Sequence, residues 1–473
     1  MHFRLSRLFL PIAALLLATS VSAGPLPAVP AANTIPVNVP GTSAFGATTL
    51  DLRGLGYVEQ EFYVSGLANR YRITNPLGTA AVIDGGWSYN TRMLVRRPIR
   101  QEDFNGTVVV EWYNVTLGED VDFMFSAMYE HLLGAGYAYV ALSAQLVGTN
   151  TLTKWSPLRY GSINITAPNN DPNGGVVDSR GDVLSWDIFG QVGKAVLSGA
   201  GLGGLKPKRV IGLGESQSAS RLTSYYNSIH PLHQVYESFV YYDRAGALRT
   251  DLGTKAISIN SSVAAFPAPA APDDNDHRWW EIAGASHVSL HDITYLDPIV
   301  KSEGVVRDAS GNPTSITGAI TGCANTPLWS RVHSGQGLNS ALEHVIAWSE
   351  HGVVPPTATR LLRDANGQPA LDAKGRVTGG VRLPAYDAPI ADNGGYNSGP
   401  GFCILPGFHH DYSEDQLCEL YKNHGGYVDA VSEVAHRALR DGFMIKSDVD
   451  TTINEAAHFR FSCHDHSHPL VSQ

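Results

Sequence analysis

Charge is scarce in this sequence. Of 473 residues, 16% are Asp, Glu, Lys or Arg, too few for the solvated, self-repelling chain of a disordered protein. Positive charge is the scarcer sign, with 34 Lys+Arg against 44 Asp+Glu and a formal balance of −10. Such a chain has no global electrostatic reason to seek nucleic acid or an anionic membrane surface. Cysteine is limited to four residues, none at CxxC spacing, which excludes the usual zinc and redox motifs. Beyond the N-terminal segment no apolar run is long enough to span a bilayer, so no stable membrane span is expected. The 48 Gly and 27 Pro follow no collagen or linker period, and no repeat shows at solenoid periods. What is present is a 43% hydrophobic fraction, enough to bury a substantial core.

Residues 1–23 read as a signal peptide. Arg4 and Arg7 supply a basic start, Leu8 to Val21 an apolar run, and Val21-Ser22-Ala23 small residues at a cleavage site. The expected destination is the periplasm or the exterior. In that compartment Cys323, Cys403, Cys418 and Cys463 are expected as two disulfides. Of the three pairings available, Cys323–Cys403 with Cys418–Cys463 is the expected one.

Residues 24–56, rich in Pro, Ala and Thr, read as an extended lead-in to a single catalytic domain over 57–473. Strands are expected at Tyr57–Ser65, Thr91–Arg97, Thr107–Tyr113, Tyr137–Ala144, Arg209–Gly214, Glu237–Tyr242, Lys255–Asn260 and Trp279–Ala283. Helical patterns fall at Phe123–Leu133, at Trp186–Leu197 and from Ser218. Continuous apolar strands alternating with helices indicate a mostly parallel sheet covered on both faces. Residues 147–182, rich in Asn and Gly, read as an insertion. Residues 288–473, with helical patterns near Asn339–His351 and Ser413–Ala438, read as a cap and C-terminal extension.

Gly214-Glu215-Ser216-Gln217-Ser218-Ala219 follows directly on an apolar strand. A serine on a sharp strand-to-helix turn, with small residues two before and two after, makes a nucleophile elbow. Ser218 departs from the usual glycine by one small side chain. Serine needs a base, and on such a sheet the base comes later, after the last core strand. His287 in Ala283-Gly284-Ala285-Ser286-His287 has that position, with His409 and His410 as runners-up. The HDHSH run at 464–468 reads as a solvated tail.

The orienting acid usually follows the penultimate strand, but Ser261-Ser262-Val263 offers no carboxylate. Asp243, one strand earlier, is the favoured candidate, and Glu281 and Asp273 are the alternatives. The oxyanion donors are expected to be the backbone N–H of Gln217 and of Asn114 or Val115. Trp112, Tyr113, Trp279 and Trp280 either rim an apolar pocket or pack in the core. No metal or organic cofactor is required by this chemistry.

The segments VVVEWYNVT, GYAYVALSAQ, RYGSI, DIFGQ, GLGESQSA, WWEIAGASH, GGVRLP and LYKNHGGYVDAV, followed by GFMIKSD, resemble the bacterial "alpha/beta hydrolase domain-containing" family of esterases. The likeness covers about residues 57 to 450. It implies an α/β-hydrolase fold with Ser216 as nucleophile and His287 as base, and leaves the acid open. Relatives tend to carry a Ser-Glu-type pair where this chain has Ser261-Ser262.

The expected function is that of an exported serine hydrolase cleaving small-molecule or polymeric carboxylic esters through an acyl-enzyme. The rival readings are an inactive glycan or polymer binder on the same fold and an envelope interaction protein. Oligomeric state is not legible here.

Overall fold

The computed structural model describes residues 29–243, 245–263 and 273–463. The expected signal peptide and the HDHSH tail lie outside the described residues. A nine-stranded sheet runs through the molecule in the order β1-β2-β3-β5-β4-β6-β7-β8-β9. Its strands are β1 (Asn33–Pro36), β2 (Tyr57–Arg72), β3 (Ala81–Pro98), β4 (Thr107–Trp112), β5 (Ala138–Leu142), β6 (Arg209–Glu215), β7 (Ser238–Tyr242), β8 (Lys255–Asn260) and β9 (His277–Glu281). The pairs β1/β2, β2/β3 and β3/β5 are antiparallel. From β5 through β9 every pair is parallel.

The buried strands read as apolar runs because helices cover both faces. In β4, Val109 faces one core cluster while Val108, Val110 and Trp112 face the other. Helices of eight or more residues are α1 (Phe123–Gly134), α2 (Leu146–Trp155), α3 (Ser185–Leu197), α4 (Gln217–Ser224), α5 (Leu290–Glu303), α6 (Gly335–His351), α7 (Glu414–Tyr421), α8 (His424–Arg440) and α9 (Lys446–His458). Strand order reverses about β4, which has β5 on one side and β6 on the other. Open α/β sheets place their binding crevice at such a point, outside the carboxyl ends of the strands.

Several expected bounds shift: β2 runs on to Arg72, β3 begins at Ala81, and β9 starts and ends two residues before the expected Trp279–Ala283. The stretch 147–182 is not loop throughout, since α2 occupies its first part. Its helix-neutral Thr and Asn hid the pattern. The helical pattern near Ser413–Ala438 resolves into two helices, α7 and α8, separated at Lys422 (φ 67°) and at Asn423, whose side chain caps α8 by accepting from Gly426 N. The lead-in contributes an edge strand, β1, paired with β2. The described cysteines form Cys323–Cys403 and Cys418–Cys463.

Charge is sparse, yet some of it is buried. Arg92 on β3 is fully enclosed, donating to Glu61 at 2.8 Å and to the Phe45 carbonyl at 2.8 Å, with Asp120 at 3.4 Å. Removing one partner of such a network strands the others without water. Arg92→Ala should therefore cost about 3–5 kcal/mol, read as a shift in the urea midpoint at constant slope. A loss below about 1 kcal/mol would mean that the cluster behaves like a surface pair.

Candidate active site

Four consecutive parallel strands end at one place. Ser216 follows β6, Asp243 follows β7, Ser261 follows β8, and His287 lies on the loop after β9. Ser216 adopts φ 54° and ψ −115°, a conformation non-glycine residues rarely take, and its N–H donates to the Tyr242 carbonyl at 2.9 Å. A side chain at Gly214 would meet Ala219 N and Ser218 O at 3.1 Å, so smallness at 214 lets α4 close on β6. Ser218 does more than fit. Its hydroxyl accepts from Glu215 N at 3.1 Å and donates to Glu215 O at 2.8 Å, bracing the turn.

The loop Ala283–His287 turns inward on Gly284, which has φ 75° and whose missing side chain leaves room for the Tyr386 ring. It delivers His287, buried, with Nδ1 2.5 Å from Asp243 Oδ2. Asp243 also accepts from Ser261 N and Ser261 Oγ, each at 2.7 Å. Ser261, at the position where the usual acid was missing, thus holds the acid supplied by the neighbouring strand.

Sequence reasoning missed Glu215. Its Oε1 lies 2.9 Å from His287 Nε2, off the hydrogen-bonding axis, and its Oε2 accepts from Asn114 Nδ2 at 2.8 Å. The available signal was a carboxylate at the end of an otherwise apolar strand. Burial is the largest influence on His287 and pulls its pKa down, but Glu215 and Asp243 together push it up to about 10. Burial in turn raises Glu215, against the His287 charge.

Ser216, Glu215 and His287 line one cavity of about 40 Å³. Its walls are Leu117 and Phe123 from the core side, and Ile316, Trp329, Phe402 and Leu405 from the cap. Cys403 of the Cys323–Cys403 disulfide directly follows Phe402 of this wall in the chain. Trp112, Tyr113, Trp279 and Trp280 do not rim this cavity. All four are buried in the core, and Trp112 stacks on Phe189.

The two oxyanion candidates at the end of β4 differ. The Asn114 N–H is engaged with the Val121 carbonyl at 3.2 Å, which removes it as a donor. Val115 is left. Gln217 is fixed by a reciprocal pair of amide bonds with Gln145, at 2.6 and 3.1 Å. The alternative acids serve elsewhere. Glu281 accepts from Leu361 N and pairs with Arg363, while Asp273 accepts from Trp279 N. His409 bonds the Trp329 carbonyl and His410 lines a separate groove.

The family model of the alpha/beta hydrolase domain aligns with residues 23–454, and the large, mostly parallel sheet flanked by helices agrees with it. The chain belongs to that family. No curated protein sequence matches this alpha/beta hydrolase significantly. Among solved structures, it is similar to a candidate acetyl xylan esterase from Bacteroides fragilis NCTC 9343 (12% identity, TM-score 0.25), with 45% of this chain and 48% of that one covered. It is also similar to the carboxylesterase Cest-2923 from Lactobacillus plantarum WCFS1 (10%, TM-score 0.24), covering 42% and 72%. A family 15 glucuronoyl esterase from Caldicellulosiruptor kristjansonii matches at 12% and TM-score 0.21, covering 38% and 45%. The chain spans about half the length of the first of these. Likeness at this level carries no information on substrate.

No helix among the described residues is long and apolar enough to cross a membrane.

Proposed function

We propose that this alpha/beta hydrolase is an exported serine esterase working through an acyl-enzyme. The observation that carries the reading is the 2.5 Å contact between the buried Asp243 and His287 Nδ1, with His287 and the strained Ser216 both lining one cavity. In this mechanism His287 Nε2 takes the Ser216 proton as Oγ attacks the ester carbonyl, and returns it to the leaving alcohol. Asp243 holds the tautomer and offsets the imidazolium charge. The N–H groups of Gln217 and Val115 receive the oxyanion. Water then enters as the second acceptor.

The small, apolar cavity favours a short acyl group. The basic-apolar-small pattern of residues 1–23 and two disulfides support export. The test is covalent labelling by a fluorophosphonate probe, combined with turnover of p-nitrophenyl esters of increasing acyl length. Wild-type protein should take one label, Ser216→Ala none, and acetate should turn over faster than octanoate. Folded wild-type protein that resists the probe would overturn the proposal in favour of a non-catalytic glycan or polymer binder, the reading that the approach of Glu215 to Nε2 favours.

A further inference from the structure

A second cluster of chemistry-bearing side chains lies just beyond the His287 loop. His291 and Asp292 occupy the first turn of α5, and His333 sits two residues before α6. Each offers one donor atom, and these atoms lie within 4.8 Å of one another. No motif in the sequence joins them, because 41 positions separate Asp292 from His333 and only the fold brings them together.

The surroundings of each ring decide which nitrogen is available. His291 Nε2 is 2.8 Å from Glu130 Oε1, and His333 Nε2 is 3.0 Å from the Ala127 carbonyl, both acceptors on α1. A neutral imidazole that donates through Nε2 carries its lone pair on Nδ1. A carboxylate or carbonyl behind the far nitrogen is the support that metal-bound histidines characteristically have. Asp292 is anchored at one oxygen, Oδ2, which accepts from Ser289 N at 2.7 Å as part of the α5 cap. Its other oxygen, Oδ1, is buried without a hydrogen-bond partner, and so is His291 Nδ1. Asp292 as a whole is 4% exposed.

These two atoms are 3.6 Å apart, within ion-pair reach of each other when His291 is protonated. That is too long for a hydrogen bond, but it is close to the chord between two ligands held about 2.0–2.1 Å from a tetrahedral ion. His291 and His333 stack with ring centroids 3.7 Å apart and also line a cavity of about 320 Å³ beneath α8 and α9. Space is therefore available on the open side for a water or another ligand.

We propose that His291, Asp292 and His333 form a site for a divalent transition-metal ion of the zinc class. Two imidazoles and one carboxylate are the donor set such an ion prefers over calcium or magnesium. The site does not depend on the esterase reading. Its ion would tie the start of α5, four residues after His287, to the segment leading into α6, so binding stiffens the loop that carries His287.

The test uses tag-free full-length protein, treated with EDTA, dialysed and titrated with Zn²⁺ by calorimetry, with the thermal midpoint as a second readout. The wild type should bind one equivalent and melt at a higher temperature with Zn²⁺ than without. His333→Gln and, at a partly exposed position, His291→Gln should each weaken binding at least tenfold and lose the thermal shift, with circular dichroism reporting their fold. A variant with His464, His466 and His468 all changed to Gln should bind as the wild type does. Absence of a saturable equivalent, wild-type affinity in both single variants, or loss of the equivalent with the tail histidines would each overturn the proposal.

Discussion

Asp243→Asn is expected to lower kcat by about four powers of ten with little change in KM, the scale on which loss of the orienting carboxylate acts in serine hydrolases. The size follows from hydrogen-bond polarity at one site. Ser261 N–H donates to Asp243 Oδ1, and a backbone donor fixes which end of an asparagine amide can lie there. The carbonyl oxygen must take the Oδ1 place. The NH₂ group then occupies the place of Oδ2, facing Ser261 Oγ and His287 Nδ1. Ser261 Oγ can accept in place of donating, but Nδ1 can accept only by giving up its proton. The proton moves to Nε2, the nitrogen that has to collect the proton of Ser216. The ring stays in place in the wrong tautomer, and substrate affinity is untouched. The measurement is steady-state turnover of a p-nitrophenyl ester, with the fold checked by the urea midpoint. Turnover within tenfold of wild type would remove Asp243 from the mechanism. Glu281 and Asp273 could not then replace it without giving up their present bonds to Leu361 N and Trp279 N.

The strands that carry this site were legible because a buried parallel strand has no polar face to confuse its signal. Lys255–Asn260 was read to the residue, and Thr107–Trp112 and Arg209–Glu215 to within one. Strand ends followed, and with them Ser216, Asp243 and His287, the three side chains that the fold brings to one edge. What escaped the sequence depends on approach between distant segments. The cap residues Trp329 and Phe402 wall the cavity only because residues 288–463 fold back over the sheet edge. The tryptophans at 112, 279 and 280 look identical in sequence whether they rim a pocket or fill a core. The Asn114 N–H was lost as an oxyanion donor through a backbone bridge to Val121, a contact across a tight loop that no side-chain pattern announces. Glu215 was in view throughout, next to the serine. Its approach to His287 depends on the turn geometry at Ser216, which sets the direction of the neighbouring side chain 215 toward the ring.

That approach yields the last expectation, for Glu215→Gln. In the wild type, His287 lies between two carboxylates, with Asp243 on Nδ1 and Glu215 on Nε2. Burial alone would make the ring a weaker base, but the two negative charges reverse this and push it up to about 10. A histidine that holds its proton at neutral pH cannot accept one from serine, so wild-type kcat/KM should climb with pH well into the alkaline range. Because the folded value lies above the ordinary 6.5, the same ion pairing stabilises the fold most fully below pH 6.5. That contribution fades as pH rises towards 10. Glutamine keeps the length of the side chain and an oxygen for Asn114 Nδ2 to bond, but removes the charge beside Nε2. The acid limb of kcat/KM should move down by about two pH units, raising the rate at pH 7 by on the order of 10². Asp243→Asn lowers turnover at every pH, whereas this substitution should trade pH dependence for rate at neutrality. A pH profile from 5 to 10.5 on both proteins separates the outcomes. An acid limb that stays where the wild type has it would show that Glu215 sets the shape of the elbow and leaves the basicity of His287 alone.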